Sequence, residues 1–485
     1  MRQYYTADQI RNAEAPLLAS LPDGALMRRA AGGLATSIAA ELRRRTGGVS
    51  GRRVCAVVGS GDNGGDALWA ATFLRRRGAG SCAILLNPEH THTAALKAFR
   101  TAGGRVVTTL PTATDLVIDG VVGISGSGPL RPAAADVFAA VTAAGIPVVA
   151  VDIPSGIDAH TGAIPGPAVR ADLTVTFGGL KPVHALADCG RVELIDIGLD
   201  LPHPALIGMD AADVKASWPM PGPHDDKYSQ GVVGILAGSA TYPGAAILCT
   251  GAAVAATSGM VRYAGAATGE VVSHWPEVVA APSAAAAGRV QAWCVGPGLG
   301  TGEAALADLT FALASDLPVI VDADGLTVLA ARQDLVAGRQ APTVLTPHAG
   351  EYERFGLGPV GEDRVAAAGR LAATLGATVL LKGNVTVIAE AGPIPGSVRS
   401  CPPRGPTYLN PAGDSWAATA GSGDVLSGII GALLAAGLPP GEAAAAAAFV
   451  HARAANASAA DPGPASVPTS ASRILSHIRY AIATL

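Results

Sequence analysis

The chain has 485 residues, enough for two or three domains, and 49% hydrophobic content beside 61 glycines and 35 prolines marks a folded, Ala-rich enzyme rather than a disordered chain. A net charge of −4 gives no electrostatic case for nucleic acid or an anionic membrane as partner. The six cysteines (Cys55, Cys82, Cys189, Cys249, Cys294, Cys401) form no C-x-x-C pair, which argues against a zinc site or disulfide framework and for reduced thiols in a cytoplasmic protein.

The opening MRQYYTADQIRNAEAP lacks the apolar core of a signal peptide. From residue 50, β-rich apolar runs (RVCAVV, CAILL, DLVID, PVVAVDIP, DLTVTF, VELIDIG) alternate with Ala-rich helical runs, which predicts a parallel sheet covered by helices. The alternation stops in LPHPALIGMDAADVKASWPMPGPHDDK, placing a domain boundary near 210 and domains at 1–210 and 211–485. Residues 244–261 are uncharged over spanning length, but their Ala, Gly, Thr and Ser content predicts a buried helix rather than a membrane span. The second part repeats the alternation with VVGILAG, AWCVGPG, PVIVDADG, TVLTPHAGE, TVLLKGN and TVIAEAG, and ends in helical segments.

The stretch GSGDNGGDA (59–67) contains G-x-G-x-x-G between a strand and a helix, the form of a dinucleotide fingerprint. A dehydrogenase needs an acidic residue about 20 positions on to hold a ribose. That place carries Asn87 and Pro88, Glu89 lies past the strand end, and Asp62 and Asp66 would repel a pyrophosphate. Two further strand ends carry glycines and oxygen donors, DGVVGISGSGP (119–129) and VDIPSGIDAHTG (151–162). Ligands bind beyond such ends in open α/β sheets. Asn63, Asp119 and Ser155 offer an amide, a carboxylate and a hydroxyl oxygen, a donor set for a hard cation rather than zinc. Asp152 is a candidate acid/base whose pKa burial would raise. Lys181 either neutralises nearby charge or is a solvated loop lysine.

NGGDA, DGVVGISGSG and VDIPSGID, followed by TFGGLKP, resemble the NAD(P)HX epimerase domain of the bifunctional NAD(P)H-hydrate repair enzymes, which interconverts R and S cofactors hydrated at C6 of the nicotinamide. The resemblance implies that the hydrate is cradled by Asp62, Asn63, Gly64, Gly65 and Asp66 and by Gly123, Ile124, Ser125, Gly126, Ser127, Gly128 and Pro129. It also implies contact with Asp152 and a potassium ion at Asn63, Asp119 and Ser155. Asp62 and Ala67 depart from the family, which usually has Asn and Gly there.

In the second part, AGSGDVLSGIIGALLAAG (420–437) opens a helix on glycines, so backbone N–H groups and the helix dipole converge on an anion. Asp424 at its start can take a proton from an attacking hydroxyl, which together with charge stabilisation is what phosphoryl transfer needs. VDADGL brings Asp322 and Asp324 to the same rim, and LTPHAGE brings His348 and Glu351. The order GSATYPGA, GPGLG, VDADGL, LTPHAGE, LLKGNVT, AGSGD resembles the ADP/ATP-dependent NAD(P)HX dehydratase domain, a ribokinase-like fold. By that resemblance Ala245, Gly298 and His348 contact the hydrated nicotinamide. Lys382, Gly383, Asn384, Val385, Thr386 and Gly423 hold the adenine nucleotide, and Asp424 acts on the substrate hydroxyl.

The expected architecture is therefore α/β, a Rossmann-like three-layer domain followed by a ribokinase-like α/β domain. The expected substrates are NADHX and NADPHX with ADP, or ATP, as nucleotide, and Mg²⁺ and K⁺ as ions. The resemblance further implies a homo-oligomer. The competing reading is a ribokinase-like kinase of a vitamin precursor or other small molecule, fused to a cofactor-binding module.

Overall fold

The computed structural model describes residues 1–124, 126, 128–391 and 405–485. Ser125, Ser127 and Cys401 lie outside the described residues. The chain divides into two compact units, Gln3–Ala205 and Leu206–Leu485, the second including Met1–Arg2.

The first unit carries strands β1 (Arg53–Val58), β2 (Gly80–Leu85), β3 (Arg105–Val107), β4 (Leu116–Gly120), β5 (Val148–Val151), β6 (Leu173–Phe177) and β7 (Arg191–Ile195). They are parallel and ordered β3-β2-β1-β4-β5-β6-β7. Successive side chains of a strand point to opposite faces, and here both faces are buried. Val54, Ala56 and Val58 pack with helices α1 (Ala25–Thr46) and α2 (Asp62–Arg76), while Cys55 and Val57 pack with α3 (Pro132–Ala143). The strand order reverses between β1 and β4, which opens a crevice at their carboxyl ends. Glycine is required there: a Cβ on Gly59 would lie 2.1 Å from the Val121 carbonyl, and one on Gly120 2.4 Å from the Ala67 Cβ.

The second unit holds β8 (Leu206–Gly208), β9 (Val232–Leu236), β10 (Met260–Ala264), β11 (Val279–Ala281), β12 (Ala292–Val295), β13 (Val319–Val321), β14 (Thr343–Leu345), β15 (Thr378–Leu381), β16 (Val385–Ala389) and β17 (Thr407–Pro411). Their order is β8-β17-β16-β15-β14-β13-β12-β9-β10-β11. From β15 through β11 the neighbours are parallel, so the loops after β9, β12, β13, β14 and β15 share one rim. The run TVIAEAG, expected as a further parallel strand, is instead β16, antiparallel to both β15 and β17. A fully buried apolar run carries no mark of strand direction, and the tight turn between β15 and β16 leaves no room for a crossover.

Residues 244–261 begin a buried helix, α4 (Pro243–Ala256), that packs against α5 (Ser422–Ala435). Gly428 permits the close crossing, since a Cβ there would lie 2.1 Å from the Cys249 carbonyl. A further Ala-rich helix, α6 (Pro440–Ala460), packs on α5 in the same core. Among the described residues no helix is long and apolar enough to cross a membrane.

Candidate active sites

In the first unit the end of β4 places Asp119, fully buried, opposite the turn after β5. Its carboxylate accepts hydrogen bonds from Ser155 N (2.8 Å), Ser155 Oγ (2.7 Å) and Val121 N (3.2 Å). Burial raises its pKa to about 6 although these bonds favour the anion. Asn63, at the start of α2, donates to the Val151 carbonyl (3.2 Å), and its Oδ1 borders Gly123, whose Cβ would come within 2.9 Å. Amide, carboxylate and hydroxyl oxygens thus gather at one crevice, among the described residues without nitrogen or sulfur ligands, and this oxygen donor set fits a hard cation.

Beside this group stands Asp152, whose φ of 68° is left-handed, a conformation that costs a non-glycine residue energy and persists only when its surroundings fix it. They do so at every polar atom class. Its N–H donates to the Val175 carbonyl (2.7 Å), its carbonyl meets His184 Nε2 (2.9 Å), and its Oδ1 accepts from Thr176 Oγ1 (2.9 Å) and Lys181 Nζ (2.7 Å). Lys181 is 1% exposed and also donates to Thr176 Oγ1 and the Phe177 carbonyl, so it is a buried partner and not a solvated loop lysine. Against the expectation of a raised pKa, Asp152 sits below the usual carboxylate range: burial pushes it up, but the Lys181 charge and hydrogen bond outweigh that. Burial, with Lys181 close by, lowers His184 to about 4, and the neutral ring accepts from the Lys181 N–H at Nδ1. A carboxyl that is raised there, besides Asp119, is Asp66, pushed well up by burial and by Asp152, Asp62 and Glu14, with a buried Oδ1 that finds no hydrogen-bond partner among the described residues.

In the second unit α5 starts on Gly421 (φ 82°), and Asp424 lies in its first turn. Burial and the Asp322 charge push Asp424 up to about 7, against the pull of Lys382. Lys382, just after β15, donates to Asp322 Oδ1 at 2.8 Å and lies 3.6 Å from Glu351 Oε2. A cavity of about 460 Å³ opens here, lined by Lys382, Gly383, Asn384, Thr386, Gly423 and His348 among others. Val385, a buried residue of β16, is not in that lining. Ala245 and Gly298 meet away from that lining, a Cβ on Gly298 falling 2.7 Å from the Ala245 Cβ.

The sequence matches the family described as NAD(P)H-hydrate dehydratase over residues 233–477, and the YjeF-related protein N-terminus over 23–183. It is 74% identical to the bifunctional NAD(P)H-hydrate repair enzyme Nnr of Mycobacterium tuberculosis H37Rv, and 71% identical to that of Mycobacterium leprae, both chains covered in full. The chain belongs to the bifunctional NAD(P)H-hydrate repair enzymes. A solved ribokinase-like superfamily protein from Enterococcus faecalis superposes with a TM-score of 0.50 at 23% identity, covering 59% of this chain and 98% of that one, a likeness of fold.

In this repair enzyme Gly123 borders the Asn63 side chain, Gly64 and Gly65 lie in the first turn of α2 against the Gly59 carbonyl and against Met27 and His92, and Pro129 packs against Gly166 of the loop after β5. Asp62 is exposed at the mouth of α2. Several polar residues escape sequence reasoning. Thr176 and His184 carry no motif, and their role depends on meeting Asp152 across 24 and 32 residues of chain. The same holds for Ser427, which donates to Asp322 from α5, and for His451, whose Nε2 lies 3.1 Å from Ser422 Oγ.

Proposed function

We propose that the first unit interconverts the R and S hydrates of NADH and NADPH, and that the second dehydrates the S form at the expense of ADP or ATP. What carries the reading is the meeting of Asp424, the glycine turn Gly421–Gly423 and Lys382, of which Gly423 and Lys382 line the cavity. The helix start and Lys382 stabilise a transferring phosphoryl group, and Asp424, with a pKa near 7, takes the proton of the C6 hydroxyl. Phosphate then leaves C6 where hydroxide would leave poorly, and loss of the C5 proton from the resulting ring cation to water restores NAD(P)H. Lys382, Gly383, Asn384, Thr386 and Gly423 hold the nucleotide. Asp322, Glu351 and Asp424 leave the site short of positive charge, which Mg²⁺ bound with the nucleotide would supply.

In the first unit a C6 hydroxyl next to the ring nitrogen leaves as water once protonated, giving a planar cation that water re-enters from either face. Asp66, held protonated, donates that proton, and Asp152, held ionised by Lys181, stabilises the cation. Asn63, Asp119 and Ser155 would hold K⁺, which supplies fixed positive charge beside the buried Asp119. The setting proposed is cytoplasmic.

The test is absorbance at 340 nm on mixed R and S NADHX with Mg²⁺, K⁺ and ADP. Full recovery is expected from the intact chain, none from Asp424→Ala, and loss of only the slow R-derived phase from Asp152→Ala. No recovery with either ADP or ATP would refute the reading of the second unit.

A further inference from the structure

Asp322 is the residue after β13, 1% exposed, and its carboxylate does not line the cavity. Its two oxygens are used separately. Oδ1 accepts from Lys382 Nζ at 2.8 Å, and Oδ2 accepts from Ser427 Oγ on α5 at 2.7 Å. The three elements converge on the glycine turn, since a Cβ on Gly423 would lie 3.4 Å from Lys382 Nζ and 3.5 Å from Asp322 Oδ2. The backbone fixes the carboxylate from behind. Asp322 N–H donates to the Val295 carbonyl, the Asp322 carbonyl accepts from Gly325 N–H, and Gly296 (φ 126°) lets the neighbouring loop approach so closely that a Cβ would sit 2.0 Å from that carbonyl. The next residue, Ala323, has a φ of 49°, strained backbone that such bracing must hold in place. A buried carboxylate is costly unless paired, and this one is paired with two donors, one from each half of the catalytic apparatus.

We propose that Asp322 is a positioning residue for the dehydration step, one carboxylate tying Lys382 to the helix that carries Asp424 so that ammonium, glycine turn and base share one arrangement. The proposal rests on the dehydratase reading of the second unit. It deepens that reading by assigning work to a side chain that need not touch substrate or nucleotide.

Three charged groups face Asp424: Asp322 from the end of β13, Asp324 from the first turn of the helix Asp324–Ala331 that follows, and Lys382 from the loop after β15. Removing the Asp322 charge therefore acts on Asp424 in a definite direction. Asp322→Asn keeps the shape and a hydrogen bond to each partner but drops the charge that opposes Asp424 ionisation and that holds Lys382. The full chain is assayed with S-NADHX, Mg²⁺ and ADP between pH 5.5 and 9. For Asp322→Asn, kcat is expected to fall at least about tenfold and the acid limb of kcat to move down by about one pH unit. Ser427→Ala, which frees α5 but keeps the charge, is expected to lower kcat at least about threefold without moving the limb. R to S epimerisation by the same chains should be unchanged, which separates these effects from general damage. A wild-type chain inactive with ADP and ATP would sink the dehydratase reading itself. An active wild type with Asp322→Asn unchanged in kcat and limb would overturn only the positioning role. Should Asp322→Asn fail to fold, Ser427→Ala decides, an unchanged kcat overturning the proposal.

Discussion

Replacing Lys181 by Met tests the buried pair of the first unit. Wild-type Lys181 gives hydrogen bonds to Asp152, Thr176 and the Phe177 carbonyl at 2.7, 2.8 and 3.1 Å with 1% of its surface exposed. Methionine fills much of the volume but leaves the Asp152 carboxylate without a countercharge. Breaking a buried pair from one side typically costs about 3–5 kcal/mol. An independent bound comes from protonation: forcing a carboxyl with an unfolded pKa near 3.9 to stay neutral at pH 7 costs about 1.4 kcal/mol for each of roughly three units, or about 4 kcal/mol. The agreement means that Asp152 escapes the cost only by taking up a proton. In the wild type its folded pKa lies below the unfolded value, so it adds stability above the unfolded pKa that is lost as pH falls through the folded one. In Lys181→Met the folded pKa lies above the unfolded value, so the deficit is largest near neutrality and shrinks as pH falls towards 4. Hydrogen exchange of peptides from residues 148–195 in the full chain measures the opening free energy at pH 7 and pH 5. Adding Asp152→Asn should recover most of the loss. A deficit below about 1 kcal/mol at pH 7, or one that does not shrink on acidification, would show that the pair is not desolvated as described.

With Asp424 pushed to about 7, the dehydratase rate is expected to fall on its acid side, to roughly a tenth of its plateau at pH 6, while a limb near pH 4 would contradict the burial of this carboxyl. Ala323→Gly relaxes a φ of 49° and is expected to stabilise the second unit by about 1 kcal/mol, raising its melting temperature by roughly 3 °C; no rise would mean that the backbone there is unstrained.

The sequence analysis captures what is encoded locally. Apolar runs such as RVCAVV form the central strands, and glycine turns fall at their carboxyl ends because close backbone approach there excludes a side chain. Short edge strands escape it: Arg105–Val107 and Val279–Ala281 have three residues each, partly exposed, too few to show a period. The direction of β16 escapes it for the reason already given. At the candidate sites, residue types are legible and ionisation is not. GGLKP shows a lysine, but only the approach of β6 to the turn after β5 makes Lys181 a buried cation on Asp152, 29 residues away. The pKa of Asp152 consequently moves opposite to the direction that its own burial implies.

The two units share one construction, a carboxylate and a lysine at strand ends near a glycine-started helix, yet they tune it in opposite senses. In the first, Lys181 pairs directly with Asp152 and holds it ionised, while burial and the neighbouring carboxylates push Asp66 up. In the second, Lys382 is paired with Asp322 and approached by Glu351, and burial together with the Asp322 charge pushes Asp424 up to about 7 against the pull of Lys382. What separates the two outcomes is that Asp152 is itself the partner of its lysine, whereas the partner of Lys382 is Asp322 and not Asp424. A carboxylate meant to stabilise a cation must stay charged, and one meant to accept a proton near neutrality must bind it with an affinity matched to the medium. Epimerisation through a ring cation calls for the first, and deprotonation of a hydroxyl for phosphoryl transfer calls for the second. The electrostatics of each unit therefore match its own proposed reaction and not the other's, and those of the first unit are ones that a passive binding module would give no reason to expect.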